Sequence, residues 1–383
     1  MKKKLLFALT AILMVFMWSC DKEGSDGDND LDFTTESVEK QKERIEESGV
    51  EFSNAIERLN KTQAVKVLDY LSEILDFEIF DFDLFTTAQN WTDIKIIEKN
   101  ILQQNYGLRS IDDDGFEWGE YEYDFNRKEL VKTKSLNNKL VIKFPANNTS
   151  SQNNAILEIS YTESNVSVPG IEDEYLPSKI VVTLKVDSQV AMSFDFSGDY
   201  FGDGTPKSIN TTVKVDNFTS TVSLSNNGSK ATIKYDLKEG STVLMELKLE
   251  ATGELRIDAI DDESDDDIED MIHSLKADLK VVDIGARGGV SEYQKFQQEL
   301  DAIYNNYNLP EREALEEETK VFNKYISLIA YFVKENSKFA DIEFYVDRDE
   351  YGYYMAPRFV MSDGSKMNAE EFMNLFGIGS LFD

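Results

Sequence analysis

Three tyrosines near the C-terminus are the residues of this chain best suited to binding chemistry. Tyr351, Tyr353 and Tyr354 lie within four positions, next to several acidic residues. A tyrosine ring offers an apolar face that can stack on a sugar, and its hydroxyl adds a hydrogen bond at the rim. The spacing predicts a sugar-stacking cluster. Because side chains alternate between the two faces of a strand, we expect at least one of the three to lie in the core.

Side chains for common catalytic and metal chemistries are scarce. The only histidine, His273, cannot form a typical zinc site by itself, and a serine triad would also need a G-x-S-x-G elbow, which the chain lacks. A glycosidase needs only two carboxylates, and the 73 acidic residues leave that class open, although no pair stands out. We therefore predict a protein that is not an enzyme, with no catalytic residues, no metal ligands and no cofactor.

The first twenty residues have the pattern of an export signal. Lys2–Lys4 are basic, and Leu5–Trp18 form an apolar run of fourteen residues, shorter than the roughly 20 that span a membrane. Ser19 and Cys20 follow, and Cys20 is the only cysteine. This segment resembles the signal peptide of bacterial lipoproteins, whose lipobox ends in a small residue and an acylated cysteine. The resemblance implies cleavage after Ser19 and attachment to a membrane through acylated Cys20.

Acylation of Cys20 leaves no thiol in the chain, which excludes disulfides, thiolate metal sites and a cysteine nucleophile. The acidic segment that follows, Asp21–Asp32, contains almost no apolar residue and predicts a flexible tether. An acidic run at this place also resembles the surface-export signals of Gram-negative lipoproteins. That resemblance implies a position on the cell outer membrane, lipid-anchored and facing outward, with a periplasm-facing position as the alternative.

A long run of alternating apolar and polar residues, from Tyr121 to Ile257, predicts about ten β-strands. Short turn signals such as Asn226–Gly228 and Lys238–Gly240 separate them, and connections this short join antiparallel neighbours. We expect an α+β fold. Its centre is a large antiparallel β-meander, curved or shaped as a half-barrel, packed by N- and C-terminal helices and followed by a C-terminal β-hairpin.

An apolar residue every seven positions at Val38, Ile45, Phe52 and Leu59 predicts an amphipathic helix before the sheet. Composition then divides the chain into seven parts. They are a signal peptide (1–19), an acidic tether (20–32), an N-terminal helical segment (33–106), an antiparallel sheet (107–260), an acidic linker (261–274), a strand with helices that pack on the sheet (275–340), and a hairpin with a short helix (341–383).

The region after the linker carries two specific expectations. Leu275–Ile284 is expected to be a strand that ends at the glycine cluster Gly285–Gly289. A helix is expected to start near Pro310 and to run to about Asn336. The strongly apolar run Ile326–Val333 would then be a helical segment buried nearly all round against the sheet.

The C-terminal part is expected to hold a hairpin and a capped helix. Ile342–Val346 and Tyr353–Met361 are the strand candidates. Asn368 with Glu371 has the spacing of a capping pair for a helix over Ala369–Phe376.

The formal net charge of -33 argues against nucleic acid as a partner, because so acidic a surface repels phosphate. Three functions remain, and the first is a non-catalytic binding module for a glycan or a protein partner. The alternative is a lipid- or lipoprotein-binding carrier, since the expected topology resembles lipoprotein-carrier folds. That resemblance implies a hydrophobic groove between sheet and helices, while ordinary core packing of the same residues is the other interpretation. The groove residues would be Met192, Phe194, Phe196, Met245 and Leu247. The third function is a carboxylate-based glycosidase.

Overall fold

A computed structural model describes residues 31–75, 118–168, 175–256, 271–306, 309–349 and 352–377. The helices there are α1 (Val38–Asn60), α2 (Gln63–Leu75), α3 (Tyr293–Tyr304), α4 (Glu311–Tyr325) and α5 (Ala369–Leu375). The strands are β1 (Gly119–Asp124), β2 (Glu129–Ser135), β3 (Lys139–Phe144), β4 (Ala155–Ser167), β5 (Tyr175–Val186), β6 (Gln189–Tyr200), β7 (Pro206–Val215), β8 (Phe218–Asn226), β9 (Lys230–Glu239), β10 (Thr242–Gly253), β11 (Ile272–Val281), β12 (Ile284–Val290), β13 (Ser327–Phe332), β14 (Ser337–Arg348), β15 (Tyr353–Met361) and β16 (Lys366–Asn368).

The fold is α+β and dominated by one sheet, as the alternating pattern predicts. The sheet has 16 strands. From one edge to the other, the neighbours run in reverse chain order from β16 to β3, and β1 and then β2 follow. The sheet is mostly antiparallel, and β1 and β3 run parallel, with Gly119 opposite Leu140. The sheet is therefore larger than the stretch that the sequence indicates, because strands after residue 271 extend it.

The chain divides into two compact units. Among the described residues, the first unit contains those within 56–204 and 208–222, and the second contains those within 31–55, 205–207 and 223–377. In the first unit Leu157, Leu184 and Met192 lie opposite one another on β4, β5 and β6, and all three are buried. This row is the apolar face that the period of two predicts.

The second unit has an apolar row that crosses six strands. Its members are Leu247, Leu279, Ala286, Ala330, Ala340 and Met361, each opposite the next. The helices bring aromatic residues to this unit: Phe296 of α3 and Phe344 of β14 both pack edge-on against Phe322 of α4. The seven-residue spacing on α1 also agrees with its packing, since Ile45 and Phe52 are buried.

The expectation of a helix through Ile326–Val333 is wrong. Helix α4 ends at Tyr325, and Ser327–Phe332 form strand β13, whose last five residues are all buried. A short apolar run fits a strand covered on both faces as well as it fits a buried helix, and periodicity alone does not separate them. The strand is favoured here because β12 and β14 both pair with it.

The glycine cluster does not end a strand, contrary to expectation. Gly285–Gly289 lie inside β12, which pairs with β11 and β13. The ring of Tyr331 lies directly against Gly285, where an added Cβ would be 2.4 Å from Tyr331 Cζ. Glycine is needed at this point because a neighbouring side chain crosses the strand's backbone.

The C-terminal helix has the cap that its sequence predicts. The side chain of Asn368 accepts a hydrogen bond from the backbone amide of Glu371, and the side chain of Glu371 accepts one from the backbone amide of Asn368. Within the described ranges, no helix is long and apolar enough to cross a membrane. Cys20, most of the acidic tether, the acidic run 261–270 and Tyr351 lie outside those ranges.

Candidate functional site

The two described tyrosines of the predicted cluster fall on opposite faces of β15. Tyr353 pairs with Arg348 and Tyr354 with Asp347, and consecutive strand residues point to opposite sides. Tyr353 is half-buried on the face that α4 covers. The guanidinium of Arg312 lies 5.5 Å from the centre of its ring and that of Arg348 lies 5.1 Å away. The rings of Tyr353 and Tyr354 therefore cannot both stack on the same face of one ligand.

Tyr354 is 41% exposed on the other face. The register of β14 and β15 places Tyr345 next to it on the diagonal, because Tyr345 lies opposite Ala356 and Asp347 opposite Tyr354. The charged residues of the same face complete a group that we call the tyrosine patch. Its members are Glu343, Tyr345, Asp347, Tyr354 and Arg358.

Hydrogen bonds and ion pairs hold most of the tyrosine patch in place. The hydroxyl of Tyr345 donates to Asp347 Oδ2 at 2.7 Å, and the guanidinium of Arg358 lies 4.7 Å from the centre of the Tyr345 ring. Arg358 Nε in turn donates to Glu343 Oε1 at 2.6 Å, and Lys366 donates to the same oxygen at 2.9 Å. These contacts order the polar groups that surround Tyr354 before any ligand arrives.

The environment of the tyrosine patch fixes its charges at neutral pH. Burial and the hydrogen bond to Asp347 raise the pKa of Tyr345 to about 12. The same bond and the backbone amide of Arg348 lower the pKa of Asp347. Burial and the nearby carboxylate of Asp347 raise the pKa of Tyr354. Both rings are thus neutral beside an ionised carboxylate.

This arrangement offers a stacking surface and polar groups that could recognise a ligand. A neutral ring gives a stacking surface, while a carboxylate and a guanidinium accept and donate hydrogen bonds to hydroxyl groups. Over the described residues, every carboxyl with a resolved shift has its pKa lowered by neighbouring hydrogen-bond donors. The same residues contain no group of three His, Cys, Asp or Glu that could hold a metal ion.

The remaining residues singled out in the sequence are not members of the tyrosine patch. His273 is exposed on β11. The five residues named for a lipid groove are all buried, and they belong to two different compact units. They are Met192, Phe194 and Phe196 in the first unit, and Met245 and Leu247 in the second. Their burial agrees with the alternative interpretation of ordinary core packing.

The sequence prediction did not include Glu343, Tyr345, Asp347 and Arg358, although a signal for them exists. The backbone amide of Asp349 donates to the carbonyl of Gly352 at 3.0 Å. Counting outward from this pair along the two expected strands places Tyr345 on the same face as Tyr354. Tyr353 and Tyr354, adjacent in sequence, lie on opposite faces of β15. Tyr345, which is distant in sequence, lies on the same face as Tyr354.

Comparison with known proteins yields one solved structure to report. No protein family and no curated protein matches the chain. A porin-like protein from Bacteroides vulgatus ATCC 8482 is similar over 65% of this chain and 88% of its own, with 8% sequence identity and a TM-score of 0.18. A likeness this weak supports no inference about fold or function.

Proposed function

We propose that this chain is a lipoprotein of the outer membrane, anchored through acylated Cys20 and facing outward, that binds a glycan without transforming it. The single observation that carries the binding role is the tyrosine patch. There an exposed ring, Tyr354, is surrounded by polar groups that are already ordered. The anchor and the outward position rest on the lipobox and on the acidic run after Cys20.

The chemistry of the tyrosine patch favours a glycan over a protein partner. Sugars present C–H faces that stack on tyrosine and hydroxyl groups that pair with carboxylates and guanidinium groups. A protein interface needs about 800 Å² on each partner, and the patch is a small region centred on one exposed ring. A protein ligand at a larger surface that includes the patch is the second candidate.

The test is a glycan array followed by titration calorimetry on the full chain and two variants. We expect Tyr354→Ala to weaken binding of the best glycan about tenfold, since one stacked aromatic contributes about 1 to 1.5 kcal/mol. Tyr175→Ala is the matched control, because Tyr175 is also 41% exposed but lies in the first unit. The proposal fails if no glycan binds the unmodified chain, or if both variants bind equally well.

A further inference from the structure

The first described residues of the chain form backbone hydrogen bonds with the start of β14. The amide of Thr34 donates to the carbonyl of Lys338 at 2.7 Å, and the amide of Lys338 donates to the carbonyl of Asp32 at 2.9 Å. Phe33 thereby forms a parallel bridge with Lys338. The Lys338 ammonium also lies 4.1 Å from the centre of the Phe33 ring. The first described residues are thus attached to one end of the sheet.

The helix that follows is fastened at the same end. Arg44 of α1 pairs with Asp283, in the turn between β11 and β12, and with Glu335, in the turn between β13 and β14. In an antiparallel sheet these two turns lie at one end of the strands. We call this the anchor end. The turn between β15 and β16 also belongs to it, since Met361 lies opposite Ala340 near the start of β14.

The tyrosine patch lies toward the opposite end of the same strands. Tyr354 pairs with Asp347, which is nine residues along β14 from Lys338. At about 3.3 Å per residue, these positions are about 30 Å apart. Cys20 precedes Asp32 by twelve residues, which span at most about 40 Å. The anchor end is therefore the part of the second unit from which the chain leads to the acylated cysteine.

We propose that the second unit presents the tyrosine patch away from the membrane that carries it. Its ligand is then a glycan that approaches from the surroundings, and not a headgroup of the protein's own bilayer. This inference rests on the lipid anchoring proposed above, and it goes beyond glycan binding by stating where the site points.

Energy transfer to the membrane tests the orientation directly. Acylation removes the thiol of Cys20, the only cysteine, so a new cysteine can be labelled alone. Ser362→Cys and Asp349→Cys place a donor dye in the exposed turns at the two ends of β15. The acylated protein is reconstituted in phosphatidylcholine–phosphatidylglycerol vesicles that contain an acceptor-labelled lipid. We expect at least twofold more efficient transfer from position 362 than from position 349.

Equal transfer, or more from position 349, would overturn the proposed orientation. No transfer from either position in an acylated chain would overturn the anchoring on which it rests. A Cys20→Ala chain, carrying each dye in turn, supplies the background. Glycan binding is measured separately on the same vesicles with a soluble oligosaccharide. If no sugar binds, the proposed ligand is wrong while the two transfer efficiencies still report the orientation.

Discussion

The guanidinium of Arg44 lies 3.7 Å from the centre of the Phe332 ring, so helix α1 and strand β13 meet through a cation–π contact. The same guanidinium pairs with Glu36, Asp283 and Glu335. Burial opposes its charge, but the hydrogen bonds to Asp283 and Glu335 outweigh burial and raise the pKa of Arg44. One side chain thus connects the N-terminal helix to two turns of the sheet.

Replacing Arg44 with methionine should destabilise the fold by about 3 kcal/mol. The Asp283 side chain is only 7% exposed, and without Arg44 its buried charge loses its closest partner. Lys40→Met is the matched control on the same helix. Lys40 is itself exposed, so we expect a much smaller loss of stability than for Arg44→Met. Urea unfolding measures both, and equal values for the two variants would refute a stabilising role for the Arg44 contacts.

Gly285→Ala should destabilise the protein by about 1 to 3 kcal/mol, because the new methyl group meets the Tyr331 ring 2.4 Å away. Gly202→Ala, at a position with no atom within 4 Å of the added Cβ, should change stability little. Thermal unfolding of both variants gives the comparison. Adding Tyr331→Leu to Gly285→Ala should recover part of the loss. Without such recovery, the clash with Tyr331 is not the cause.

Glu250 should contribute to stability over an acidic range of pH. Hydrogen bonds from Lys230 and then Lys248 lower its pKa from 4.5 to about 2. The pKa is lower in the folded state, so the contribution is present above about pH 4.5 and is lost as the pH falls toward 2. Carbon-13 NMR of the Glu250 carboxyl should show a midpoint near 2. In the double variant Lys230→Met and Lys248→Met, the midpoint should return toward 4.5.

Cys20→Ala should release the protein from the membrane fraction. The resemblance of the leader to bacterial lipoproteins predicts that acyl chains on Cys20 provide the attachment. Ser19→Thr, one position earlier, changes a small residue without removing the thiol and should leave most of the protein attached. Fractionation of the producing cells and intact mass spectrometry measure the effect. A protein that stays in the membrane without Cys20 would contradict lipid anchoring.

The sheet could be predicted from sequence because its signal is local. Alternation over Val182–Val186 follows from one buried face, and this needs no knowledge of the partner strand. Strand β13 shows where local information ends. Its last five residues are buried on both faces, and only pairing with β12 and β14 decides their conformation. Likewise, the glycines of β12 serve as strand residues because Tyr331, distant in sequence, lies on Gly285.

The site could be predicted only in part, for a related reason. Tyr353 and Tyr354 are neighbours in sequence and therefore lie on opposite faces of β15. Tyr345 joins Tyr354 only through the register of β14 and β15. Arg358 and Glu343 follow from the same register. Recognising them requires counting from one strand to its partner as well as along the chain.

The contacts of Arg44 have a consequence for how the protein is made. Asp283 and Glu335 lie 239 and 291 residues after Arg44, so the partners of this early helix are synthesised late. At about 5 to 20 residues per second of synthesis, α1 waits for roughly 15 to 60 seconds before Glu335 exists. Its buried face, with Ile45 and Phe52, is exposed throughout that interval. The cell must therefore keep the newborn N-terminal segment from aggregating until the last strands are complete.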